Sequence, residues 1–67
     1  MSVAKTIELS ADSKSSFEDA IQEGIKRADT SIEHIQRVWV KDQIVLLDEG
    51  RIEAYRVHMT VTFKINE

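Results

Sequence analysis

The sequence predicts an α+β fold of order β-α-β-β, with a three-stranded antiparallel sheet wrapped around one amphipathic helix. Three observations predict it. One stretch carries apolar residues at helical three-four spacing, a short alternating stretch precedes it, and two longer alternating stretches follow it with a turn signal between them.

In the first strand Val3, Ile7 and Leu9 alternate with Ala4, Thr6, Glu8 and Ser10, with Lys5 as the one charge on the apolar phase, which suits an edge or near-edge position. Ser10-Ala11-Asp12-Ser13 breaks the alternation and offers side-chain acceptors for the free amides of a helix start. Ser15 with Glu18 has capping-box spacing, and Ser13 is an equally good cap.

The helix follows from Phe17, Ala20, Ile21, Gly24, Ile25, Ala28 and Ile32, with Glu18, Asp19, Gln22, Glu23, Lys26 and Arg27 on its other side, and runs for about four turns. Gly24 on the apolar stripe is explained either by close approach of a neighbouring element or by simple tolerance of a weak spot. Asp29-Thr30-Ser31 closes the helix, and a turn containing His34 leads into the central strand.

That strand opens with Gln36-Arg37-Val38-Trp39-Val40-Lys41-Asp42-Gln43, in which Val38 and Val40 share one phase and Arg37, Trp39, Lys41 and Gln43 the other. Its far end, Ile44-Val45-Leu46-Leu47, does not alternate, so burial on both faces is expected. Asp48-Glu49-Gly50-Arg51 is a turn, with Gly50 able to take positive φ. In the last strand Tyr55, Val57, Met59, Val61, Phe63 and Ile65 form one face, and Ala54, Arg56, His58, Thr60, Thr62 and Lys64 the other.

Residues 1–67 make one domain, and a chain this short buries only about 60% of its unfolded surface, so it needs a stabiliser beyond its own core. It has no cysteine, which removes disulfides and thiolate metal sites and fits a reducing cytoplasm; assembly is the leading source of extra stability. A net charge of -3 and a pI near 5.3 argue against nucleic-acid binding. Neither a signal-peptide core in Met1-Ser2-Val3-Ala4-Lys5 nor an apolar run of membrane-spanning length is visible, so a cytoplasmic protein is expected. Catalysis is not expected: there is no nucleophile elbow, glycine-rich phosphate loop or pair of metal-spaced histidines.

Opposed residues of an antiparallel pair share a face, which favours a register pairing Trp39 with Thr60 and Gln43 with Arg56. Arg37 and Arg56 then lie roughly 20 Å apart at about 3.3 Å per residue, and meet only across a subunit boundary. His58 would oppose Lys41 and reads as a surface or interface residue; His34 carries no signal. Asp48, Glu49 and Gly50 could hold a hard cation, but a solvated turn is the simpler reading.

The chain resembles the dodecins, small flavin-binding proteins, over essentially its whole length: Ile7-Glu8-Leu9, Ser13, Ala20-Ile21, Arg27-Ala28, Val40-Lys41-Asp42-Gln43, Tyr55 and Val61-Thr62-Phe63. The resemblance implies a homododecameric hollow shell. It also implies flavins stacked on a second-strand tryptophan, held by a glutamine after the final-strand tyrosine, and a role in storage or quenching. Aligned without gaps, Arg37 stands in the tryptophan's place, Arg56 in the glutamine's, and Trp39 two residues on, where the family usually has an acid. The order tyrosine-arginine also occurs among dodecin-like proteins that lack the stacking tryptophan.

Arg37, Trp39, Arg56 and Gln43 are therefore the candidate ligand-binding residues, with no catalytic and no metal residue assigned. For the two arginines, pairing with acids across an interface is weighed ahead of a symmetry-gathered anion site; for Trp39, stacking on a ligand and anchoring an interface weigh equally. The expected function is binding and sequestration of a small molecule by the assembly. The ligand is FMN, riboflavin or another anionic nucleotide-like compound, and the alternative is a structural or ion-holding assembly that binds no flavin.

Overall fold

The computed structural model describes residues 3–65; Met1 and Ser2 of the N-terminal stretch, with Asn66 and Glu67, lie outside the described residues. The order is β1 (Ala4–Ser13), α1 (Phe17–Asp29), β2 (Ile35–Asp48) and β3 (Arg51–Lys64), and the antiparallel sheet has the strand order β1-β3-β2. The predicted β-α-β-β fold is the observed one. The strand read as central is not central, however: β2 lies at an edge and β3, hydrogen-bonded on both sides, is the middle strand. Chain order cannot distinguish these arrangements, and the apolar alternation of β3 fits the sheet centre, where one face is continuously covered.

One face of β3 supplies the core. Val57, Met59 and Val61 are buried there, and Val57 and Met59 pack, with Leu9, Ala11, Val38 and Val40 of the flanking strands, under Ala20, Phe17 and Ile21 of α1. The helix lies close because its buried stripe is small: Ala20, Gly24 and Ala28. A Cβ placed on Gly24 would sit 2.5 Å from Met59 Cε and 3.2 Å from Ala11 Cβ, so close approach, not tolerance, accounts for this glycine. At the helix start the Phe17 and Tyr55 rings meet edge to face, with centroids 5.1 Å apart.

Three local expectations need correction. β1 does not end at Ser10 but continues in register with β3 to Ser13, because Ala11 and Asp12 keep the alternation in phase, small side chain inward and charge outward. Ser16, not Ser13 or Ser15, caps α1: its hydroxyl accepts from the Asp19 amide at 3.0 Å. Ser13 instead organises the approach, accepting from the Ser15 amide at 2.9 Å and donating to Asp19 Oδ2 at 2.7 Å. The helix is 13 residues long and closes at Asp29 with Thr30 as C-cap, so Ile32 lies past its end, joined to it by a backbone bond from the Ile32 amide to the Ala28 carbonyl.

The β2–β3 hairpin turns through Glu49 and Gly50, with φ of 51° and 79°, the two left-handed residues that a twist-matched two-residue turn requires. Its register runs as expected from Val38↔Val61 to Val40↔Met59, then slips by one at a bulge on Lys41. Beyond it Asp42 opposes His58, Gln43 opposes Val57 and Ile44 opposes Arg56, so the expected Gln43–Arg56 and Lys41–His58 pairs do not form. Past the helix the hairpin arm is uncovered: Ile44, Val45, Leu47 and Ile52 are exposed, contrary to the expected two-sided burial, because one short helix cannot cover strands of 14 residues. The molecule accordingly measures 51 × 19 × 13 Å.

Candidate functional site

The sheet face turned away from the helix carries the polar phase of each strand. Cross-strand pairing arranges these residues in rows: Asp12, Arg56 and Ile44; Ser10, His58 and Asp42; Glu8, Thr60 and Trp39; Thr6, Thr62 and Arg37. The Lys41 bulge adds a third cation beside Arg37 and Arg56, since Lys41 Nζ reaches Glu8 Oε1 at 2.7 Å while the next residue, Asp42, meets His58 Nδ1 at 2.7 Å. A regular strand would have turned one of these two side chains to the helix side.

Most charges of this face are matched within the chain. Arg56 makes a two-pronged bond to Asp12, Nε to Oδ1 at 2.8 Å and Nη2 to Oδ2 at 3.0 Å. The bond holds the Asp12 carboxyl below its ordinary value and raises the guanidinium above its own. The hydrogen bond from Lys41, followed by its charge, lowers Glu8, and Lys41 is raised in return. Arg56 thus pairs with an acid of its own chain, whereas the reading weighed ahead placed its partner across an interface.

Trp39 and Arg37 are arranged differently. Both lie on the walls of a shallow groove of about 610 Å³ lined by Thr6, Arg37, Val38, Trp39, Thr60 and Thr62. Trp39 is 62% exposed, a large apolar surface left in solvent. Among the described residues Arg37 has no ion pair and no side-chain hydrogen bond.

The four candidate residues are thus divided. Arg37 and Trp39 share the groove; Arg56 is six positions along β3 from Thr62, the partner of Arg37, and is engaged by Asp12; Gln43 is carried by the bulge to the phase of Val57 on the helix side. Thr6, Thr60 and Thr62 were not singled out from sequence. Their signal is positional: each falls on the polar phase of its strand, and Thr60 and Thr62 oppose Trp39 and Arg37 once the register is known. Among the described residues no three acidic, histidine or cysteine side chains gather as a metal site, and no helix is long and apolar enough to cross a membrane.

Comparison with known proteins gives this architecture a family. The calcium dodecin of Mycobacterium tuberculosis is 34% identical over 65 residues, covering 97% of this chain and 92% of that protein. Its crystal structure, described as a calcium-chelating antigen with a novel calcium-binding site, superposes with a TM-score of 0.85 at 31% identity, covering 96% of this chain and 91% of that one. The tt0972 protein of Thermus thermophilus superposes with a TM-score of 0.93 at 30% identity, covering 100% of this chain and 98% of its own. The dodecin of Streptomyces davaonensis, at 24% identity, shares the fold with a TM-score of 0.93, covering 98% of this chain and 97% of that one. A family model described as Dodecin matches residues 3–66, and with the β-α-β-β sheet and helix described above it follows that the chain belongs to the dodecin family.

Proposed function

We propose that this chain is the subunit of a dodecin-like homododecameric shell that binds and sequesters a planar aromatic small molecule of flavin type, without catalysing its conversion. The observation that carries the reading is the exposed indole of Trp39 set in one groove beside the guanidinium of Arg37, which is unpaired among the described residues. A flat π-surface next to a cation suits a flat, electron-poor, anionic ligand, and stacking contributes about 0.5–1.5 kcal/mol per aromatic contact beyond area burial. Walls from a single chain leave that groove open, so a neighbouring subunit is required to close it.

The test is titration of FMN and riboflavin with purified protein, followed by flavin fluorescence. Quenching at micromolar protein is expected, and Trp39→Ala should weaken binding about fivefold or more, the loss of one aromatic contact. Absence of quenching with both flavins would reject flavin storage. Arg37→Trp, which restores an indole at the position the family uses for stacking, is expected to deepen the quench.

A second reading, an ion-holding assembly, is favoured by the likeness to calcium dodecin. No cluster of three metal-ligating side chains lies within one chain among the described residues, so a calcium ion would draw on backbone oxygens or on carboxylates of a neighbouring subunit. Calorimetric titration with Ca²⁺ decides it: a saturable heat that EDTA reverses supports this reading, and none rejects it.

A further inference from the structure

Among the described residues the charge-bearing side chains of the four outer-face rows are matched within the chain except Arg37, and Lys64, one row farther along β3, is unmatched as well. Asp12 holds Arg56, Asp42 holds His58, and Glu8 holds Lys41. In the remaining row Thr6 opposes Thr62 and Thr62 opposes Arg37, which lines up two hydroxyls and a guanidinium across all three strands. Among the described residues none of these three side chains makes a hydrogen bond or ion pair. An arginine fork has five N–H donors and no acceptor, and threonine can donate one more bond each. This row therefore has donors in excess and lacks only an acceptor with several oxygens.

We propose that Arg37, Thr62 and Thr6 form an oxyanion subsite that takes the phosphate of a phosphate monoester whose aromatic part stacks on Trp39. The aromatic half rests on the reading above; the oxyanion half stands on the row itself. Guanidinium and phosphate match in planar, bidentate geometry, and a phosphate monoester has a third free oxygen for the threonine hydroxyls, which a carboxylate lacks. Trp39 and Arg37 are two residues apart on one strand face, about 6.6 Å, so ring and anion are separated by a short linker. Such a span suits one phosphate on a short polyol or sugar. Trp39 then provides affinity for the ring, and the Arg37 row provides selection between phosphorylated and unphosphorylated forms of the same ring.

The experiment compares FMN, riboflavin and inorganic phosphate on the intact protein. FMN and riboflavin are followed by fluorescence, and phosphate by the shift it causes in thermal unfolding midpoint. FMN is expected to bind at least tenfold more tightly than riboflavin. Arg37→Gln should bring FMN down to the riboflavin affinity while leaving riboflavin unchanged, and Thr62→Val should do so in part. Arg51→Gln, which removes one cation at the hairpin tip, should leave the FMN-to-riboflavin ratio intact. Equal affinities in the unaltered protein, or an Arg37→Gln variant that loses both flavins equally, would overturn the proposal. If neither flavin binds, the storage reading fails on its own, and the oxyanion subsite is judged by phosphate: a midpoint increase that Arg37→Gln abolishes upholds it, and no increase rejects it.

Discussion

Asp12 and Arg56 show how a cation on the polar face can be committed within its own chain. With Asp12 directly across the sheet, Arg56 is occupied before any ligand arrives. Both partners are substantially exposed, so the pair adds little to stability at neutral pH, and its effect is best seen in acid. The Asp12 and Glu8 carboxyls both lie below their ordinary values of 3.8 and 4.5, lowered first by hydrogen bonds from Arg56 and Lys41. A folded value below the unfolded one stabilises the protein fully above the unfolded value, and that contribution is lost as pH falls through the lowered folded value. Urea midpoints should therefore decline below about pH 4.5, and the Glu8→Gln, Asp12→Asn double variant should show a shallower decline over the same window. An unchanged slope in the double variant would show that these pairs do not form in solution.

At the scale of the elements, the helix and the hairpin were legible because each repeats one period over many residues. Ala20, Gly24 and Ala28 mark a face that only a helix aligns, and Val57, Met59 and Val61 one that only a strand aligns. The cap was not legible. Ser13, Ser15 and Ser16 are chemically alike, and only the point where the backbone leaves the sheet selects Ser16, whose φ and ψ of -170° and 165° are those of extended chain. Ser16→Ala should cost about 1 kcal/mol in urea denaturation, with a smaller loss for Ser15→Ala, whose hydroxyl carries no cap bond. The slip at Lys41 was equally hidden. A bulge inserts one residue without changing composition, so alternation carried past it puts Gln43 in phase with Arg56, whereas Gln43 opposes Val57.

For the whole molecule, shape is the informative quantity. The accessible surface is 5132 Å², against about 4300 Å² for a compact monomer of 7.7 kDa. The radius of gyration is 13.8 Å, against about 11 Å for a compact chain of this length. The excess lies on the hairpin arm, where Leu47 and Ile52, 63% and 57% exposed, face each other across the strands. Exposed apolar surface of this kind is stabilised by burial against other copies. Light scattering is expected to give the mass of about twelve chains, and Leu47→Lys should lower that mass and the thermal midpoint together. A native protein that scatters as a stable monomer would contradict the shell.

The bulge at Lys41 also bears on how the length of this strand can vary. Because Val40 and Asp42 are already paired with consecutive residues of β3, Met59 and His58, the residue between them is surplus to the ladder. Excising it would join two tracts that already face the correct ways, at the expense of the bond to Glu8. A deletion farther along, at Gln43 or Ile44, has no such slack and would rotate the arm's apolar side chains toward the opposite face. Chain length and facing are uncoupled at this point of the sheet, as they are at the register shifts beside Gln36 and Glu53, so a chain one residue shorter at Lys41 would keep both the groove and the arm.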